Sequence, residues 1–177
     1  MRNLKISHQL FLLIGALMVA FAATTYFQIK SASEAIYSER YDMLRTQTES
    51  ARSIMEYFHA AEVAGEMTRE AAQTAAYDAI EAIRFEPDGY FFGYDYDANR
   101  VFYPGKLSIG KNYAGLTDSA GNKFLMDIIK QARSGGGWTE YEWQKPGEPK
   151  ENLYPKAAYA IACEPWQVTI GTGLADK

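Results

Sequence analysis

The stretch from Asp88 to Tyr103, DGYFFGYDYDANRVFY, constrains the fold of this chain more than any other. Two aromatic-rich runs flank a short polar turn, which predicts a β-hairpin. Side chains alternate along a strand, so Tyr90, Phe92 and Tyr94 fall on one face and Phe91, Gly93 and Asp95 on the other. The turn from Asp95 to Arg100 holds Asp and Asn, which tolerate left-handed backbone and bond their own chain. In the second arm Val101 and Tyr103 are expected to share a face, with Phe102 opposite. Pro104 ends the run because it has no N–H to give a ladder. Faces this aromatic either pack as core or line a small-ligand pocket. Two or three of these rings are assigned to a pocket and the rest to core.

Upstream lie 18 uncharged residues between Gln9 and Gln28, LFLLIGALMVAFAATTYF. At about 1.5 Å per helical residue they come close to the ~30 Å thickness of a bilayer core. Residues 1–9 carry Arg2 and Lys5 and no acid, so this flank is expected in the cytoplasm and everything after residue 28 outside. A cleaved signal peptide is the rival reading, because Ala20-Phe21-Ala22 matches a small-residue cleavage site. The apolar run continues past that site, which favours an uncleaved anchor over residues 10–28. Both readings export the rest of the chain.

Residues 29–84 are helical in composition, rich in Ala, Glu and Arg, without proline and with a single Gly65. Tyr37, Tyr41, Leu44, Thr48, Ala51, Met55 and Phe58 recur every three or four residues, which makes a stripe along one long helix. The stripe is longer than one small sheet covers, so a homodimer in the full-length protein is expected. Thr68 is positioned to cap a second helix with Glu70 in its first turn and a stripe of Ala72, Ala76, Ala79, Ile80 and Ile83. That helix should stop near Phe85, with Arg84 compensating its C-terminal dipole.

After the hairpin an irregular loop runs to Gly115, and Asp118 is expected to cap a helix carrying Phe124, Leu125, Ile128 and Ile129. The glycines 135–137 lead into a strand from Trp138 to Trp143 with Thr139, Tyr141 and Trp143 on one face. Pro146-Gly147 marks a turn, a fourth strand starts near Lys156, and a fifth runs from Trp166 to Gly171. The result is an α+β fold with a five-stranded antiparallel sheet, PAS-like in outline.

The order GYFFGYDYDANRVFYPGKLSIGKN, then TDSAGNKFLMDIIKQARSGGGWTEYEW, then YPKAAYAIACEPWQVTIGTGL resembles the single-Cache (sCache, Cache type 2) sensor domain of bacterial methyl-accepting chemotaxis receptors. The likeness spans roughly residues 31–174; residues 29–174 together are expected to form the sensor unit, with the sheet domain at 85–177. It implies extracytoplasmic sensing of small molecules, often short carboxylates, by a domain anchored in the inner membrane. It also implies a pocket on the open sheet face, roofed by the loop and helix between the second and third strands. Two departures stand out: Tyr103-Pro104 where many relatives have His-Pro, and Glu164-Pro165-Trp166 in place of an aromatic-glycine-tryptophan turn. The first sits where ligand contacts are expected, which points to a ligand other than the commonest.

An anion pocket needs a cation and directional donors. Lys156 is the strand-borne cation of choice, with hydroxyls from Tyr90, Tyr103 or Tyr159 and the indole of Trp143 as donors. Phe92 joins them from the Tyr90 face. The plain alternative for Lys156 is a solvated strand start. Alternation places Lys156 and Tyr159 on opposite faces, so both line one pocket only if the strand is bulged.

Other chemistries have little to stand on. The net charge of −4 argues against a nucleic-acid surface. One cysteine forms no intramolecular disulfide, and Cys163 is read as a buried small residue. Asp95-x-Asp97-x-Asn99 opens like a calcium loop, but Arg100 stands where glycine is needed and Lys106 where glutamate is needed. Two histidines, His8 and His59, serve no triad, and His59 is assigned a solvated or capping role. No metal, no cofactor and no catalysis are expected; an exported hydrolase, or a tethered binding module without its own output, is the minor alternative. The absence of a second span and of a signalling module predicts the front part of a larger chemoreceptor or sensor kinase.

Overall fold

The computed structural model describes residues 6–85, 89–144 and 152–175. The basic residues Arg2 and Lys5 and the turns at Pro87-Asp88 and Pro146-Gly147 lie outside the described residues. The chain packs as two units, Met1–Asp42 and Met43–Lys177.

Helix α1 (Ile6–Val63) is continuous through the uncharged run and the striped segment. In the first unit its apolar side chains stand exposed, Phe11 at 82% and Phe21 at 74%. By length and composition it is able to cross a membrane. Gly65, at φ +74°, ends the helix. The Gly65 amide donates to the Glu62 carbonyl and the Glu66 amide to Ala61, both at 3.0 Å. This pairing satisfies carbonyls that the last turn would otherwise leave open.

The second unit is built in layers around a five-stranded antiparallel sheet. Its strands are β1 (Phe92–Asp95), β2 (Arg100–Phe102), β3 (Gly137–Gln144), β4 (Leu153–Cys163) and β5 (Val168–Ala175), in the order β2-β1-β5-β4-β3. Helix α2 (Arg69–Ala82) starts as its sequence predicts, with Thr68 Oγ1 accepting from the Ala71 amide at 3.2 Å. Arg84 closes the other end by donating to the carbonyls of Glu81 and Ile83. Ala51 and Met55 of α1 and Ala72, Ala76 and Ile80 of α2 pack on one sheet face, against Phe91, Phe102, Ile161 and Ile170. Ala79 is exposed and does not belong to that face. The α1 stripe is used in the same way. Leu44, Thr48, Ala51 and Met55 are buried within the domain and Phe58 packs on its core, so this part is not spare surface for a second copy. Tyr37 remains 43% exposed.

Helix α3 (Phe124–Arg133) covers the other sheet face with Phe124, Leu125, Ile128, Ile129 and Ala132. Asp118 does not cap it. Its carboxylate accepts from the amide and the side-chain nitrogen of Asn122, at 2.8 and 3.1 Å, closing a turn ahead of the helix. The local bonds of an Asx turn capture the acid before the helix begins.

The fifth strand also starts later than its aromatic first residue suggests. Trp166 sits in a single 3-10 turn, and Gln167 takes a left-handed φ of +55° before β5 begins at Val168. Trp166 instead anchors inward, donating to Glu62 at 2.6 Å. The His59 ring meets its edge at 6.0 Å, so His59 is part of this packing rather than solvated.

Candidate ligand-binding site

A cavity of about 100 Å³ lies on the α3 side of the sheet. Drug-sized ligands occupy roughly 300–1,000 Å³, so this one suits a molecule of a few heavy atoms. Tyr90, Phe92 and Tyr94 reach it from β1 and the segment before it, Arg100 and Tyr103 from β2 and its end. Tyr141 and Trp143 come from β3, Lys156 from β4 and Gly173 from β5. Leu116 of the β2–α3 loop and three apolar residues of α3, Phe124, Leu125 and Ile128, form the roof. Five of the six residues proposed from the sequence, Tyr90, Phe92, Tyr103, Trp143 and Lys156, therefore line one cavity.

Tyr159 does not. Strand β4 runs unbroken in register with β3 from Leu153 to Ala160 and with β5 from Lys156 to Cys163. Alternation then sends Tyr159 to the helix-packed face, where its ring lies 5.2 Å from that of Trp138. Lys156 sits within the strand rather than at its start, directly opposite Tyr141 on β3.

Arg100 is the principal residue that the sequence pattern did not single out. Gly93 pairs with Phe102 and Tyr94 with Arg100, so Val101 is an extra residue on β2. Such a bulge resets the alternation of a strand and re-aims its side chains. Val101 and Phe102 both join the helix-packed core, while Arg100 and Tyr103, three residues apart, both turn to the cavity. The expectation that Val101 shares a face with Tyr103 fails for this reason. Gly93 permits the close pairing, since a Cβ there would lie 2.0 Å from the Phe102 ring.

The Arg100 guanidinium is held in place. Its Nε and Nη2 donate to the Tyr94 hydroxyl at 3.2 and 2.9 Å, and Nη1 donates to the Leu107 carbonyl at 3.1 Å. It lies 4.1 Å from the centre of the Tyr103 ring and 4.2 Å from that of Tyr113, within the range of cation–π attraction. Among the described residues no carboxylate lies within ion-pair distance of it. A guanidinium has five N–H donors, so one on Nη1 and one on Nη2 remain.

The β2–α3 loop is fastened where it passes this group. The Arg100 amide donates to Lys111 and the Gly110 amide back to Arg100, at 3.0 and 2.8 Å. Asn112 Nδ2 donates to the Asp97 carbonyl and to Asn99 Oδ1. The Asp95 carboxylate is occupied by its own turn, accepting from the amides of Asp97 and Asn99 and the Asn99 side chain.

Phenols complete the wall. Tyr103 donates its hydroxyl proton to Tyr90 at 3.1 Å. Burial pushes the Tyr90, Tyr94 and Tyr141 phenols above their ordinary pKa, with the neighbouring phenols adding to the shift. All three therefore stay neutral and able to donate across the physiological range. Two cations, neutral hydroxyls and an apolar roof form an arrangement suited to a small anion with a short hydrocarbon part. Among the described residues no group of three or more His, Cys, Asp or Glu is placed to hold a metal.

Residues 36–177 match the family described as Single Cache domain 2. Over 106 residues, 59% of this chain, the sequence is 34% identical to the sensor histidine kinase MctS of Rhizobium johnstonii. Over 176 residues, 98% of the chain, it is 24% identical to the methyl-accepting chemotaxis protein McpP of Pseudomonas putida. These alignments span 23% of the kinase and 32% of the chemotaxis protein, so the chain is much shorter than either relative. Among solved structures, a periplasmic sensor domain of a chemotaxis protein superposes with a TM-score of 0.73 at 27% identity, covering 79% of this chain and 97% of that one. A Cache chemosensory domain solved for its recognition of carboxylic acid superposes with a TM-score of 0.73 at 26% identity, covering 81% and 98%.

Proposed function

This chain belongs to the single Cache domain 2 family, and from that premise we propose that it senses a short monocarboxylate outside the cytoplasm and relays occupancy across the membrane. The observation that carries the ligand class is the Arg100 guanidinium: part-buried, clamped by neutral groups, and without a carboxylate partner among the described residues. A charge taken out of water is costly unless it is paired, so the missing partner is an anion supplied by the ligand. In this reading the two remaining Arg100 N–H groups and Lys156 meet the carboxylate. The Tyr90 and Tyr94 hydroxyls donate beside them, and the hydrocarbon part rests on Phe92, Phe124 and Ile128. The small cavity limits the ligand to a few carbons.

The apolar run of α1 supports an anchor in the inner membrane with the sensor domain on its periplasmic side. The relatives support an output either to chemotaxis or to a kinase. A homodimer remains part of this reading, now resting on Tyr37 and its neighbours rather than on the whole stripe.

Thermal shift of the purified chain tests the proposal, since a ligand that binds only the folded state raises its melting temperature. Acetate and propionate should raise it, and Lys156→Ala should weaken their binding by roughly ten- to a hundredfold, the worth of one charge-assisted hydrogen bond. A rise produced only by amines or sugars would refute the carboxylate reading.

A further inference from the structure

We infer that Asp78 and Glu81, two acids of α2, are positioning residues for the cavity on the opposite face of the sheet. They act through Lys106 on the Leu107 carbonyl that holds the Arg100 guanidinium. The effect on affinity rests on the carboxylate reading of the cavity, whereas the placement of Arg100 is a property of the unliganded protein.

The link between the two faces is the strap of residues 104–111 that follows β2. It begins with a single 3-10 turn, Pro104–Lys106, and then brings the Leu107 carbonyl to Arg100 Nη1 at 3.1 Å. Residues 105–112 are all exposed, so burial does not dictate their course. Lys106 and Ser108 take left-handed φ values of +53° and +54°. Side chains other than glycine enter this region at a cost, and such strain persists only where the surroundings over-determine it. The two strained residues flank Leu107, the residue whose carbonyl grips the cation.

The ties on Lys106 show what supports the strap. Its amide donates to the Tyr103 carbonyl at 2.9 Å and is shared with Glu81 Oε1 at 3.2 Å. Its ammonium lies 2.8 Å from Asp78 Oδ1. Asp78 and Glu81 stand three residues apart on α2, a spacing that puts both on one side of the helix. The hydrogen bond from Asp78, with its charge and that of Glu81, holds the Lys106 ammonium above its ordinary pKa. An exposed ion pair by itself contributes little. Here it acts with a charged acceptor on the amide of the same residue, one position before the carbonyl that matters. Without these ties the strap is free to relax its left-handed residues and withdraw that carbonyl. Arg100 must then be ordered by the ligand, and ordering a long side chain on binding lowers affinity.

The test combines NMR and calorimetry on the whole chain, with Asp78→Asn and Glu81→Gln introduced together. The Arg100 guanidinium signals, assigned by their loss in Arg100→Ala, are read first without ligand. They should be distinct and slow to exchange in the wild type, and averaged in the double variant. The double variant should bind propionate about fivefold more weakly, the scale of one exposed but well-placed charge contact. In an Arg100→Ala background the same two substitutions should change propionate affinity by less than about twofold, because the group they position is gone. A purely structural role for the two acids would weaken binding equally in both backgrounds, and that result would overturn the inference. So would guanidinium signals that are the same in the wild type and the double variant. If propionate does not bind the wild type, the carboxylate reading falls, and the unliganded guanidinium signals still decide whether α2 positions Arg100.

Discussion

Replacing Arg100 by alanine should separate ligand binding from fold stability, because the residue serves the two in unequal measure. The binding loss comes from the two remaining N–H donors. Each charge-assisted bond is worth about 1.5–3 kcal/mol, but they act as one bidentate contact and Lys156 stays behind, so a combined loss of about 3 kcal/mol is expected. That is roughly two decades in affinity. The stability loss is smaller. Three hydrogen bonds to Tyr94 and Leu107 go, as do ring contacts at 4.1 and 4.2 Å that are worth about 0.5–1 kcal/mol each. Against this, the unliganded protein no longer carries a part-buried cation lacking a carboxylate partner, which offsets part of the loss. The net cost to the unliganded domain should be about 1–2 kcal/mol. Arg100→Lys keeps the charge but lacks the planar fork, and should fall between wild type and alanine in affinity. Calorimetry with propionate, beside chemical denaturation without ligand, reads both quantities. An Arg100→Ala protein that is folded and binds within threefold of wild type would refute the reasoning and leave Lys156 as the sole anion anchor.

Two further outcomes follow from the packing and the phenols. Ile80→Ala removes a fully buried side chain between α2 and the sheet and should destabilise by about 2–5 kcal/mol in urea denaturation. Stability should also fall as the pH rises from about 10. The Tyr96 phenol is pushed up to about 12, first by burial and then by Glu164, and Tyr77, Tyr90, Tyr94 and Tyr141 are raised as well. Between the unfolded value near 10 and the folded value, the unfolded chain holds fewer protons. Stability is therefore fully present below pH ~10 and is lost above it, with melting temperature and phenolate absorbance as the readouts.

Much of the architecture was legible in the linear pattern because short-range physics decides it. Thr68 caps α2 because an N-terminal turn needs an acceptor, and Gly65 ends α1 because the left-handed region disfavours other residues. Tyr90, Phe92 and Tyr94 face one way by the two-residue period of a strand, as do Tyr141 and Trp143. Lys156 was recognisable as a cation on the same kind of face. Tyr159 was equally constrained by that period, which sends it to the helix-packed side.

Tertiary structure decided the rest. Nothing in the run Asn99-Arg100-Val101-Phe102 marks where the extra residue of a bulge falls. That depends on how β2 registers against β1, with the Phe102 ring over Gly93. One residue of slip exchanges the faces of everything beyond it, and here it turns Arg100 from an apparent loop charge into a second cation of the cavity beside Lys156. The fate of the α1 stripe was likewise set at long range, since an apolar helix face looks the same in sequence whether a second chain or the domain's own sheet covers it. The sequence by itself determined the elements and the sides of strands in perfect register. Register, and which surface meets which, came from contacts between residues far apart in the chain, where no local pattern carries the information.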